Sequence, residues 1–289
     1  MNEEHRVDIA VGGFDRRDDS PRQLAQSVCA ALRRRIGEEH FDRNGRLKSW
    51  TRALVPGVDS SLLPPGVQGT GSARLREPES PMVIALNSFV NWRATPAQLR
   101  LAGEGPFSVL RFEARCPTGI RGTPPLLDLI AAGDAVVAVV SRGLDYLSRR
   151  QSKLADAYDG VRPKSGLDSW IDLMQRLRLD GSQYSYVDAP AVLKYALGLG
   201  QTFPSHAVKL LYLYWEPADA ERYEPFRAHR AELRRLADEV AGSTVSLVAQ
   251  SFDALWSEWA ALPEPAWLRG IVAALRERYA VVIADEPAL

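Results

Sequence analysis

Residues 111–147 read RFEARCPTGIRGTPPLLDLIAAGDAVVAVVSRGLDYL, and this stretch decides the fold. It predicts a strand over Phe107–Arg115, a tight loop built from Cys-Pro-Thr-Gly and Arg-Gly-Thr-Pro-Pro, and then a β-hairpin. The first arm is Leu126–Ile130, the turn is Ala132-Gly133-Asp134, and the second arm is Ala135–Val140, ending at Ser141-Arg142. Gly and Asp at the turn and β-branched residues along the second arm support that reading. Far from the turn, an acid on one arm and a charged residue on the other can face each other across the pair. Asp128 and Arg142 hold those places. A helix then begins and carries Leu144, Tyr146 and Leu147, extending from Gly143 to about Tyr158.

Towards the N-terminus, residues 1–19 are charged apart from Val7–Val11 and read as an arm or a short strand. Ser20-Pro21 opens a helix with a capping hydroxyl and a proline at the first position. Leu24, Val28, Leu32 and Ile36 form its buried stripe, Cys29 lies among its core residues, and Arg33-Arg34-Arg35 form a solvated face. Residues 55–82 are rich in Pro, Gly and Ser and read as a long loop. A short apolar run (Met82–Asn87) follows, then Phe89–Arg93 and a short helix from Thr95-Pro96 to about Leu101.

Towards the C-terminus, a helix over Ser165–Arg178 sets Leu167, Trp170, Met174 and Leu177 on one stripe, and Asp188-Ala189-Pro190 opens another. The run Val208–Trp215 lacks alternation, as strands buried on both faces do. A charged helix (Tyr223 to Val240), a strand (Thr244–Gln250) and two helices bearing Leu255, Trp256, Trp259, Trp267 and Ile271 complete the chain. The expectation is one α/β domain over residues 1–289, a mixed sheet flanked by helices. Its parts are an arm (1–19), a helical and loop region (20–105) and a core (106–289).

Formal net charge is zero, which does not favour tight non-specific DNA binding but leaves room for a local basic face. Arginines number 31 against five lysines, which the base composition of a GC-rich genome accounts for. Two cysteines give neither a disulfide framework nor a metal cluster. The polar N-terminus is unlike a signal peptide and no apolar run reaches membrane-spanning length, so a cytoplasmic protein with no membrane partner is expected. A two-fold homodimer is the default assembly. The four histidines make no metal spacing, and only His206, just before the Val208 strand, is expected near the sheet.

The central stretch resembles the PD-(D/E)XK, or restriction-endonuclease-like, superfamily. More narrowly, it resembles a bacterial family whose members read FEA(K/R)CPTGxRGTPPxLD, then VAVESK. VIALNSFVNWR (Val83–Arg93), VLKYALG (Val192–Gly198) and LLYLYWEP (Leu210–Pro217) extend the likeness over most of the chain from about residue 20. The resemblance implies a restriction-endonuclease-like mixed sheet flanked by helices. It places the metal-binding aspartate on Asp128, the glutamate of Glu-Ser-Lys on Val140 and its lysine on Arg142. Valine offers no oxygen to a hard cation such as Mg²⁺. Arginine can steady an anion but does not exchange its proton near neutrality.

Three readings follow. The first is a nuclease-like protein with a degenerate metal site, which keeps the cleft to bind DNA or a partner protein and needs no cofactor. The second is a metal-independent enzyme acting on a small-molecule ligand in the repurposed cleft, with Asp128, Glu113 and Arg142 as catalytic groups. The third is a Mg²⁺-dependent endonuclease using Glu113 and Asp128. Glu113 has the same strand parity as Arg111 and Arg115. Arg115, Cys116, Arg121 and Thr123 are the expected binding residues, because their loop can offer amides and a guanidinium to an anion. Asp128 is also placed to accept a hydrogen bond from Arg142 across the hairpin.

Overall fold

The structure is a computed structural model and describes residues 20–67, 75–120, 122–148, 152–160 and 166–283. Arg121 of the central loop and the N-terminal arm lie outside the described residues. Five strands form one mixed sheet in the order β1 (Phe107–Arg115), β2 (Leu126–Gly133), β3 (Val136–Arg142), β4 (Val208–Tyr214) and β5 (Val245–Ser251). The first three form an antiparallel meander, while β3–β4 and β4–β5 are parallel. A parallel pair needs a long crossover. Helices α3 (Asp168–Leu179) and α4 (Ala189–Thr202) make the first, and α5 (Glu224–Glu239) makes the second. The molecule is an α/β protein whose sheet is flanked by helices, as its alternation of apolar runs and helical stripes predicts. None of the described helices is long and apolar enough to cross a membrane.

The central strand shows why the pattern was readable. β4 lies between β3 and β5, and six of its seven side chains are buried. On one face Tyr212 and Tyr214 meet His229 of α5. Lys209, of opposite parity, turns the other way and binds Glu104 (2.6 Å) and the carbonyl of Ala102 (2.9 Å). That opposite layer includes α2 (Pro81–Phe89), α6 (Phe252–Ala260) and α7 (Leu268–Tyr279). Trp92, Trp259 and Phe89 stack edge to face there, and Trp256 Nε1 donates to Ser88 Oγ at 3.1 Å. Such ring pairs add about 1 kcal/mol each beyond area burial.

Helix starts follow their capping residues. Ser20 before α1 (Pro21–Ile36), Ser80 before α2, Asp188 before α4 and Ser251 before α6 each accept an otherwise orphaned amide of the first turn. The segment after α1 is not a free loop. It breaks into short 3₁₀ turns whose Leu47, Ala53, Leu63, Val67 and Leu75 form a second core against Val83, Leu86 and Val90.

Four expectations need correction. No continuous helix spans 143–158; the described residues form 3₁₀ turns at Asp145–Ser148 and Asp156–Gly160. Leu144, Tyr146 and Leu147 are all buried. The first hairpin arm runs on to Gly133, which moves the turn one residue later. Thr95–Leu101 holds only a 3₁₀ turn, Pro96–Gln98. Finally, His206 is exposed, whereas His229 is fully buried against the sheet.

Candidate functional site

The site forms where the hairpin opens. β2 and β3 pair from Ala132↔Val136 to Leu129↔Val139 and then diverge. At that fork Asp128 Oδ2 accepts the Ser141 amide at 2.6 Å, replacing a main-chain acceptor. The expected Asp128–Arg142 ion pair is therefore not formed. The carboxylate is committed to a backbone amide, and among the described residues Arg142 pairs with Asp145, at 3.9 Å.

On β1, Glu113 falls between the pairs Phe112↔Leu129 and Ala114↔Leu127, opposite Asp128. Its backbone takes the left-handed conformation, φ +49°. A side chain with a Cβ pays of order 1 kcal/mol for that conformation. The Glu113 carboxylate lies against Gly66, where an added Cβ would stand 2.8 Å from Oε2. A side chain at 66 would push the end of the Glu113 side chain aside. Glu113 and Asp128 share one cavity, walled by Val67, Met82, Ala85, Leu86 and Phe112. It measures about 20 Å³ and so is large enough for a single water.

This apolar wall sets the electrostatics. Burial pushes Asp128 up from 3.8 to about 6, against the opposing pull of the Ser141 amide and the positive charge of Arg142. Ser141 itself is buried and its Oγ has no hydrogen-bond partner among the described residues.

Arg142 belongs to a different neighbourhood. It does not line the cavity of Glu113 and Asp128. Its guanidinium lies over the Tyr212 ring at 5.9 Å, beside Tyr195 of α4. The Tyr212 hydroxyl is 3.3 Å from His229 Nε2, and His229 stacks on Tyr146 at 3.9 Å. Burial pushes His229 down to about 3, helped by the charges of Arg230 and Arg142. A neutral imidazole can therefore orient the Tyr212 hydroxyl. Arg142 is held by an aromatic and phenolic frame rather than by a carboxylate dyad.

The loop residues divide. Arg115 is exposed and donates to the Pro124 carbonyl at 3.4 Å, and Thr123 is exposed. Cys116 is buried at 1% exposure, and burial raises its thiol pKa. Its carbonyl packs on α4 at Gly198, where a Cβ would come within 2.4 Å of the Cys116 oxygen. The thiol therefore does not line the cleft with Arg115. Gly198→Ala should test this close approach. Overpacking of roughly 2 kcal/mol, offset by about 1 kcal/mol of helix propensity, leaves a net loss of about 1 kcal/mol. Urea unfolding measures it, and a stabilised variant would show that the loop can move.

Reading by residue type missed Ser141, Gly66, Tyr195 and the role of His229. For His229 a signal existed: Phe226, His229, Leu233 and Leu236 recur at helical spacing, and all are buried.

A divalent cation does not fit these residues. Asp128 has one oxygen engaged, Val140 is buried at 1% exposure in the position that the resemblance gives to the second carboxylate, and Glu113 is the only other acid on the cavity among the described residues. Among the described residues no group of three or more His, Cys, Asp or Glu could hold a metal ion. Comparison with known proteins assigns no family: no family model, curated protein or solved structure matches the chain.

Proposed function

We propose that this chain is a nuclease-like protein that has lost metal-dependent cleavage and keeps its sheet and central loop to bind DNA or a partner protein. The observation that carries the reading is the fork of the hairpin. Asp128 is committed to the Ser141 amide, and the position that the resemblance gives to a second metal-binding carboxylate is a buried valine, Val140. A mixed sheet flanked by helices, with Asp128 and Arg142 at the open end of a hairpin, agrees with the restriction-endonuclease-like resemblance. Exposed Arg111 and Arg115 on β1 give local positive charge to a chain of zero net charge.

Two other readings lose ground. A cavity of about 20 Å³ filled by Met82, Leu86 and Phe112 leaves no room for a small substrate between Glu113 and Asp128. Two carboxylates, one of them already engaged, are a poor ligand set for Mg²⁺, which wants near-octahedral oxygen coordination.

The test is incubation of supercoiled plasmid with the protein and Mg²⁺ or Mn²⁺, beside Asp128→Ala. Nicking should not exceed that of the variant. Duplex binding, followed by anisotropy, should weaken steeply as salt rises. Metal-dependent nicking that disappears in Asp128→Ala would overturn the proposal. No duplex binding at low salt would leave the partner protein as the ligand.

A further inference from the structure

A groove of about 1040 Å³ runs between α1 and the turn Asp145–Ser148, away from the Glu113–Asp128 cavity. Its volume is at the upper end of the range for small-ligand sites. Ala25, Cys29, Leu144 and Leu147 give it apolar walls, and Arg22 and Arg33 give it charge. Ser20, Gln26 and Ser148 are among its polar lining groups, and no acid is among the described residues that line it. Among the described lining residues the charge is therefore positive.

Arg33 is the distinctive group. Its Nε is buried with no hydrogen-bond partner, and no ion pair to it is formed among the described residues. Its guanidinium carbon lies 5.7 Å over the Phe41 ring. Glu79 acts electrostatically on Cys29 and Arg33 but does not line the groove, and burial raises its own pKa. Nε is closed to solvent, so an anionic head group in the groove would meet Arg33 through its terminal guanidinium nitrogens. Arg22 stands three helical turns away, about 16 Å along α1, so one head group does not reach both arginines. The apolar walls between them suit the body of the ligand. Burial pushes the Cys29 thiol up to about 12, which suits a wall rather than a nucleophile.

We propose that this groove binds a small amphipathic anion, with a single carboxylate, sulfonate or phosphate head group on Arg33 and an apolar body along Ala25, Cys29, Leu144 and Leu147. The inference is independent of the reading of the hairpin site.

The probe is anilinonaphthalene sulfonate, titrated into the full chain and followed by fluorescence, with decanoate and decylammonium as competitors. The expected result is saturable one-site binding that decanoate displaces and decylammonium does not. Arg33→Met and Ala25→Glu should each weaken it at least tenfold, with unchanged far-ultraviolet circular dichroism. Ala25 sits on the groove flank of α1, so its variant keeps the test valid if Arg33→Met fails to fold. Absence of saturable binding, wild-type affinity in both variants, or equal displacement by decylammonium would overturn the proposal.

Discussion

Asp128→Asn should be more stable than the wild-type chain at pH 8, by about 1–2 kcal/mol, and the advantage should vanish towards pH 4. The carboxyl has a folded pKa of about 6 against an ordinary 3.8, because the apolar wall of Met82, Leu86 and Phe112 disfavours its charge. A raised pKa means that the folded chain holds this proton more tightly than the unfolded chain does. The stabilisation is complete below pH 3.8 and is lost as pH rises through about 6. Above that window an ionised Asp128 costs the fold up to about 3 kcal/mol. Asp128 is only partly buried, so solvent screening lowers the figure. Asparagine has no proton to lose, and its oxygen can still accept the Ser141 amide. Urea unfolding at pH 4, 6 and 8 measures the difference. A variant less stable than the wild type at pH 8 would show that the charge of Asp128 supports the scaffold, through Arg142. A gain in the variant would mark Asp128 as a group held against stability, as groups at functional sites are.

How far these features were legible depended on whether one physical pattern dominated locally. β1 was readable over its whole length because a strand bounded by Pro106 and Cys116-Pro117 has little alternative. β4 was readable because a strand covered on both faces must be apolar at nearly every position. The same absence of alternation hid α2. Val83–Phe89 are all buried, so no stripe distinguishes helix from strand in Met82–Asn87.

The site was legible in part. Strand parity grouped Glu113 with Arg111 and Arg115 and left it able to share a cleft with Asp128, which the register sets opposite it. It did not reveal that Glu113 turns left-handed or that Gly66, forty-seven residues earlier, makes room for its carboxylate. That approach is long-range packing and has no local signature. Nor did parity show that Asp128 would choose the Ser141 amide over Arg142. An amide at a fork has no other acceptor, whereas Arg142 finds Tyr195, Tyr212 and Asp145. Burial of His229 was readable from its helical stripe and was obscured by the charges around it.

The double variant Val140→Glu/Arg142→Lys should lose stability without metal and regain most of it with Mn²⁺ or Mg²⁺, which the wild type should not bind. Val140 is the next position after Leu129↔Val139 on β3, and continuing that register would set it against Asp128 at the fork. A carboxylate introduced there is buried and lies beside a second carboxylate. Desolvation and like-charge repulsion together cost roughly 3 kcal/mol. A divalent cation removes both penalties by giving the two acids a shared partner. At a hundred times its dissociation constant it restores about 2.7 kcal/mol. Calorimetric titration of metal into both proteins, with melting curves at matched metal concentrations, reads the two effects. Metal binding by the variant alone would mean that two side chains on β3 separate this cleft from a metal centre. Metal binding by the wild type, weakened by Asp128→Asn or Glu113→Gln, would return the endonuclease reading to first place. A variant that unfolds and is not rescued by metal would show instead that the core around Val140 has closed over the site, so that the loss of the metal cannot be reversed at these two positions alone.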